Sequence, residues 1–146
     1  MFETLNAHFG GKIRLRICGI LVEDTKILLV KHTGLGPAGF LWNPPGGGAH
    51  FGETYSKTLE REFLEETNLA VEVKDFLLFN EHISGQLHAM ELFFKVETIS
   101  GILKLGTDPE LEGKEQMLID IRFWSKEEIQ KLPQEQFHKR LFDYFI

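Results

Sequence analysis

Residues 45–69 have the sequence PGGGAHFGETYSKTLEREFLEETNL, in which a glycine-rich loop leads into a stretch without glycine or proline. Glu53 and Thr54 place an acid and a capping hydroxyl where a helix would begin. Asn68 is a residue type that often ends a helix in the left-handed conformation. The sequence therefore predicts a helix over residues 54–67 that is entered from a flexible loop.

Three glutamates crowd one face of this predicted helix. On a helix that advances ~100° per residue, Glu62, Glu65 and Glu66 lie within an arc of roughly 100°. Like charges at these spacings destabilise a helix by roughly 0.2–0.5 kcal/mol per pair, so a structural helix gains nothing from them. A hard divalent cation such as Mg²⁺ or Mn²⁺ prefers carboxylate oxygens and would turn the repulsion into coordination.

The loop before the helix suits a phosphate group. Glycines leave the backbone N–H groups open to close approach, and the start of a helix attracts negative charge. The glycine loop, the helix and its acidic face together indicate metal-assisted chemistry on a phosphate ester or anhydride.

The spacing of these residues resembles the box of the Nudix hydrolase family, whose pattern is G-x5-E-x7-R-E-U-x-E-E-x-G-U, with U a bulky aliphatic residue. Phe63 is apolar but aromatic at a U position, and Asn68 stands where the family has glycine. Asparagine tolerates the left-handed conformation next best after glycine, so we expect the turn to form. The matching residues are Gly47, Glu53, Arg61, Glu62, Glu65, Glu66 and Leu69.

This resemblance implies a metal site on the helix. Glu62, Glu65 and Glu66 would be the ligands of Mg²⁺, with Mn²⁺ as an alternative, and Glu53 would be a further ligand or would lie just behind them. Arg61 would hold Glu62 in position through a charge-assisted hydrogen bond.

The resemblance also implies catalytic and substrate-binding groups. In some members the box glutamate, here Glu62, takes the proton from the attacking water, and in others a downstream glutamate does so. Glu112 and Glu115 are the downstream candidates in this sequence, and Glu115 is preferred. The backbone of Gly46, Gly47 and Gly48 would shape the metal and phosphate site.

Trp42 precedes the glycine loop and has two interpretations. It either packs beneath the loop or offers its large rigid ring as a stacking surface for a nucleobase.

Composition limits the class of protein. The chain has 146 residues, 42% hydrophobic content and 13 phenylalanines, which is enough for one domain with a substantial core. A net charge of −6 without a basic run argues against nucleic acid as a partner. The single cysteine, Cys18, fits a reducing compartment and a core position. Residues 1–11 lack a signal-peptide pattern and no apolar run is long enough for a membrane span, so a cytoplasmic protein is expected.

Strand-like segments lie on both sides of the predicted helix. They occupy residues 12–22, 27–31, 69–80, 88–98 and 118–124, with turns at residues 23–26 and 81–87. A capping box from Ser125 to Glu128 opens a short helix, and residues 134–146 are predicted as a closing amphipathic helix. This order predicts the α/β class, with a mixed β-sheet flanked by helices. The resemblance implies the same architecture, a Nudix-like α/β/α sandwich formed as a single domain by residues 1–146.

The expected function is hydrolysis, dependent on a divalent metal, of the phosphoanhydride bond in a nucleoside diphosphate linked to another moiety. The substrate would be a nucleoside triphosphate or a nucleotide sugar such as ADP-ribose. The alternative is a non-catalytic domain of the same fold that binds a nucleotide as a sensor or interaction module. Removal of an RNA cap is a third, remote interpretation, because the sequence has no basic patch. A homodimer is possible on the resemblance alone.

Overall fold

A computed structural model describes residues 7–107, 109 and 117–145. Besides the helical residues 7–9, the helices are α1 (Tyr55–Thr67), α2 (Lys126–Gln130) and α3 (Leu141–Tyr144), with a 3-10 turn at Gln134–Gln136. The strands are β1 (Lys12–Ile20), β2 (Val22–Glu23), β3 (Lys26–Thr33), β4 (Phe40–Asn43), β5 (Gly46–Gly48), β6 (Ala70–Ser84), β7 (Leu87–Ser100) and β8 (Leu118–Trp124).

The strands form two sheets. The first has the order β5-β1-β7-β6, and it is mixed because β1 runs parallel to β7 while the other pairs are antiparallel. The second has the order β2-β3-β4, with β8 also pairing antiparallel to β3. The predicted mixed β-structure is confirmed.

Neighbouring residues of the central strands point to opposite faces, and each face is covered by helical structure. Ile17 and Leu28 belong to a buried cluster with Leu59 and Phe63 of α1. The apolar strand residues adjacent to Ile17 and Leu28 belong to a second buried cluster, which also contains side chains from α2 and the C-terminal segment. The members of this second cluster include Cys18, Ile27, Leu29, Ile129, Phe137 and Leu141. The two clusters place helices on both faces of the β-structure, which confirms the predicted α/β/α sandwich.

Helix α1 begins and ends where the sequence indicates. Thr54 is its N-cap, and its hydroxyl accepts a hydrogen bond from the Lys57 amide at 3.1 Å. Asn68 is the C-cap in the left-handed conformation, with φ 65°. The substitution of asparagine for the family's glycine is therefore compatible with the expected turn.

The first predicted strand is divided in the structure. Residues 12–20 form β1 in the first sheet, whereas Val22–Glu23 forms the short strand β2, which pairs with β3 in the second sheet. The turn predicted at residues 23–26 therefore joins β2, and not β1, to β3. The turn expected at residues 81–87 is tighter than predicted, since β6 continues to Ser84 and β7 begins at Leu87.

The long closing helix predicted over residues 134–146 is wrong. Phe137 is extended and forms a bridge to Trp42 of β4, and the His138 amide donates to the Trp42 carbonyl at 3.0 Å. The ring of Phe137 also packs edge-on against Trp124. Burial of these aromatic rings favours an extended residue at the point where the amphipathic spacing predicted a helix.

Candidate active site

The glycine loop lies against the carboxylates of α1. A Cβ at Gly47 would lie 2.4–2.5 Å from the carboxyl atoms of Glu62, and a Cβ at Gly46 would lie 2.2 Å from the Ile17 carbonyl oxygen. The Gly46 amide donates to Glu66 Oε1 at 2.9 Å. A side chain at position 47 would thus collide with the Glu62 carboxylate of α1, and one at position 46 would collide with the backbone of β1, so glycine permits both close approaches.

Arg61 joins three of the four predicted metal-binding glutamates. Its Nε and Nη2 donate to the two oxygens of Glu53 at 2.8 and 2.9 Å, which is a bidentate pair. Its Nη1 donates to Glu62 Oε1 at 2.9 Å and to Glu65 at 3.3–3.4 Å, and Nη2 also donates to the Gly48 carbonyl. The hydrogen bonds from Arg61 lower the pKa of Glu53 to about 2. Arg61 therefore holds the acidic group and the loop together.

Glu62 and Glu66 are buried in spite of their charge, with 8% and 4% of each residue exposed. Burial raises the pKa of Glu62 to about 7, and the charge of Glu65 acts in the same direction, while Arg61 opposes both. A buried carboxylate near another of the same sign is a position where a cation would lower the free energy.

The described residues contain no group of three Asp, Glu, His or Cys side chains arranged closely enough to hold a metal ion. The donor set nevertheless fits a hard divalent cation, because it consists of carboxylate oxygens. It includes the buried Glu62, whose negative charge burial disfavours, and Gly47 leaves the space beside this carboxylate free of a Cβ.

A cavity of about 960 Å³ opens beside the loop, between the two sheets. Gly46, Gly47 and Gly48 line it together with Glu62 and Glu66. The structure thus brings the predicted substrate-binding glycines and two of the predicted metal ligands to one cavity. Glu65 and Glu53 reach this group through Arg61.

Among the described residues that line this cavity, Trp42 is absent. It is only 5% exposed, and its ring packs edge-on against Trp124 at a centroid distance of 4.9 Å. The structure favours packing beneath the loop over the base-stacking alternative. Glu112 and Glu115, the downstream candidates for the general base, lie outside the described residues.

A buried polar network on the cavity wall is absent from the sequence prediction. Glu91 of β7 accepts hydrogen bonds from Arg16 of β1 at 3.0 Å, Asn80 of β6 at 3.0 Å and His138 at 2.8 Å. These partners are 75, 11 and 47 residues away in the chain, so no short spacing could have revealed them. Although burial opposes it, the hydrogen bond from His138 and the charge of Arg16 lower the pKa of Glu91 to about 2.

Asn43, at the end of β4, also lines the cavity. The residue is 4% exposed, and its Oδ1 is buried without a hydrogen-bond partner in the described structure. The proline-rich sequence around Asn43 did not indicate that this residue would line the cavity.

The sequence and the structure of the chain are similar to those of known proteins. The NUDIX domain family model matches residues 12–145, and a search of curated proteins found no match. The solved structure of a MutT protein from Methanosarcina mazei Go1 is similar with a TM-score of 0.70 and 17% identity, over 91% of this chain and 90% of that chain.

Two further solved structures have the same fold. A UDP-X diphosphatase is similar with a TM-score of 0.65 and 19% identity, over 97% of this chain and 66% of that chain. An ADP-ribose pyrophosphatase from Streptococcus suis 89-1591 gives a TM-score of 0.58 and 20% identity, over 82% and 77% of the two chains. At these identities the structures establish the fold, while the match over residues 12–145 establishes that the chain belongs to the NUDIX domain family as a Nudix-type hydrolase.

Proposed function

We propose that this protein hydrolyses, with a divalent metal, a phosphoanhydride bond in a nucleoside diphosphate linked to another moiety. The observation that supports this most directly is the position of Glu62 and Glu66, which line a large cavity together with the glycine loop. Buried carboxylates at the wall of a cavity suit a metal-bound diphosphate, whereas a structural helix would gain nothing from burying them.

Glu62, Glu65 and Glu66 would hold Mg²⁺ or Mn²⁺, with Glu53 close by. When bound, the metal would neutralise charge on the phosphate oxygens and acidify a water. Arg61 keeps Glu53, Glu62 and Glu65 within hydrogen-bonding distance of one guanidinium group. Its role is thus to fix the orientation of the acidic side chains.

The proton of the attacking water would be taken by Glu62 or by Glu115. Glu62 already lies at the cavity, and Glu115 belongs to a part of the chain that is not described. The two roles separate in kinetics: replacement of the general base by glutamine lowers kcat and removes the acidic limb of its pH profile, where the rate rises as the base loses its proton. The other glutamate would lack this signature.

The substrate we favour is a nucleoside triphosphate or a nucleotide sugar such as ADP-ribose. A cavity of about 960 Å³ is at the upper end of the usual range for small-molecule sites and has room for more than a diphosphate. Similar structures include a protein named ADP-ribose pyrophosphatase and another named UDP-X diphosphatase, which support the class of substrate. We further expect a cytoplasmic protein that acts on small molecules rather than nucleic acid, with a homodimer possible. The described residues contain no helix that is both long enough and apolar enough to cross a membrane.

The test is the release of phosphate products from a panel of nucleoside triphosphates, nucleotide sugars and dinucleoside polyphosphates with Mg²⁺ or Mn²⁺. Glu65→Gln should lower turnover by roughly a hundredfold or more, because it removes a ligand that stabilises charge in the transition state. Glu60→Gln is the matched control, since Glu60 lies on the same helix but pairs with Lys57 away from the acidic group.

Turnover that falls in Glu65→Gln and persists in Glu60→Gln would support the proposal. Equal turnover in both variants would contradict the assigned metal site. A protein that binds a panel member but hydrolyses none of them would instead favour the nucleotide-binding sensor.

A further inference from the structure

Arg16 lies beside the glycine loop. Its Nη2 is 3.5 Å from the Gly46 carbonyl oxygen, while the amide of the same glycine donates to Glu66. Arg16 and Glu66 therefore contact the same glycine of the loop, and both side chains line the cavity. A group that occupies the cavity next to Glu66 is within reach of a fixed positive charge.

Two contacts fix the carboxylate that holds Arg16. Glu91 Oε2 accepts from Arg16 Nη1, and Oε1 accepts from Asn80 and His138. His138 Nδ1 accepts the Arg140 amide at 3.2 Å, so Nε2 bears the proton and donates to Glu91. The Glu91 carboxylate is thus oriented by a side chain from β6 and one from the C-terminal segment, and its own orientation fixes that of Arg16.

Arg16 retains donors that the described protein does not use. A guanidinium group has five N–H donors, and within the described residues that of Arg16 makes one hydrogen bond to Glu91 and one long hydrogen bond to Gly46. Its side chain is 14% exposed and lines the cavity. A buried ion pair is weak evidence for stability, because desolvation of both charges offsets their attraction. The remaining donors suit an anionic ligand.

We propose that Arg16 binds a phosphoryl oxygen of the substrate's diphosphate, and that Glu91, Asn80 and His138 are positioning residues that orient its guanidinium group. The inference rests on the proposed function, because it names a further contact at the same site. Guanidinium matches phosphate in both charge and hydrogen-bonding geometry, and an arginine fixed by a carboxylate loses little freedom on binding.

The test compares two variants that both lack the charge of Glu91. Glu91→Gln keeps Arg16, whereas the double variant Glu91→Gln with Arg16→Gln removes both charges and leaves no unpaired ion. Binding of ADP with Mg²⁺ is measured by titration calorimetry, with adenosine as the phosphate-free probe. We expect the double variant to bind ADP about tenfold or more weakly than Glu91→Gln, and adenosine equally.

Equal ADP affinity of the two variants would overturn the proposal, as would the absence of ADP binding to the unsubstituted protein. Arg122→Gln controls for net charge, because Arg122 pairs with Glu128 outside the cavity; an equal loss in this variant would also overturn it. In the Glu91→Gln background, Arg16→Lys should bind ADP more tightly than Arg16→Gln does, because lysine restores a positive charge next to the phosphate. Binding is measured without turnover, so a protein that hydrolyses nothing but shows the tenfold difference loses the proposed function and keeps the phosphate contact.

Discussion

Gly47 lies so close to Glu62 that a single methyl group would displace the carboxylate, since a Cβ there falls 2.4 Å from its carbon. Gly47→Ala should lower kcat/KM by roughly a hundredfold, because a shift of about 1 Å in a catalytic group has this effect. Folding should change little, because the obstructing atoms are the far end of a flexible side chain. Turnover and thermal unfolding measured together would check both statements.

Gly48→Ala is the comparison for that prediction. A Cβ at Gly48 would meet only the end of the Arg14 side chain, at 3.4 Å. Its effect on turnover should be clearly smaller. A similar loss in both variants would show that any side chain in the loop disturbs the site, and not the contact with Glu62 in particular.

Asn43 should be replaceable without loss of stability. Its Oδ1 is buried and unpartnered in the described structure, so Asn43→Leu removes an unsatisfied acceptor. We expect the free energy of unfolding to stay unchanged or rise by about 1 kcal/mol. Asn80→Leu removes an amide that donates to Glu91 and should cost about 1–3 kcal/mol. Urea denaturation of both variants measures the difference, and a large loss in Asn43→Leu would contradict the prediction.

Residues of the site differ in how far the sequence could reveal them. The acidic group includes Glu53, Arg61 and Glu62, which lie within ten residues of one another on one loop and the helix that follows it. Their spacing in the sequence is therefore enough to predict that they are close in the structure. Arg16 and Glu91 are brought together only when β1 pairs with β7. Such contacts depend on strand pairing, and no local pattern specifies it.

Among the elements, α1 depends on its C-terminal turn. Asn68 is exposed, has φ 65°, and donates through Nδ2 to the Ile102 carbonyl at 2.8 Å. Asn68→Ala should cost about 1–2 kcal/mol of unfolding free energy, because alanine tolerates the left-handed conformation poorly and loses the hydrogen bond. Asn68→Gly should cost less, since glycine adopts this conformation freely. Equal losses by chemical denaturation would show that the backbone conformation is not the cause.

A loop distant in the sequence donates hydrogen bonds to the same end of α1, and the sequence did not predict this contact. The amides of Lys104 and Gly106 donate to the carbonyls of Thr67 and Glu66, which have no partner within the helix. A Cβ at Gly106 would lie 1.7 Å from the Glu65 carbonyl oxygen. The beginning and end of α1 were predictable from local capping residues, whereas this long-range cap was not.

In the closing segment, residues 134–146, the local sequence pattern predicted the wrong structure. Its apolar spacing predicts one amphipathic helix, but Phe137 is extended and packs with Trp42 and Trp124. A weak helix preference over a few residues is easily outweighed by the burial of an aromatic ring. His138 is placed against Glu91 as a result, so the feature that the sequence missed also builds the cavity wall.

At the scale of the whole molecule, Glu91 connects segments that are far apart in the chain. It joins β1 through Arg16, β6 through Asn80 and the C-terminal segment through His138. The contacts to Arg16 and Asn80 require the first sheet to be assembled, and the contact to His138 requires the C-terminal segment to pack against this sheet. The ionisation of this carboxyl group should therefore be coupled to global unfolding rather than to a local opening.

Acid should reveal this coupling. Folding lowers the pKa of Glu91 from 4.5 to about 2, against the effect of burial, so its contribution is complete above about pH 5. It is lost as the pH falls toward 2, because the unfolded chain then binds a proton that the folded protein does not. The unfolding free energy should decline less steeply with acid in Glu91→Gln, by about 3 kcal/mol over this interval. Denaturation curves from pH 2 to 6 measure this difference, in which Glu53 and Glu128 cancel because both proteins retain them. Parallel curves would mean that the Glu91 carboxylate is not stabilised by the folded protein.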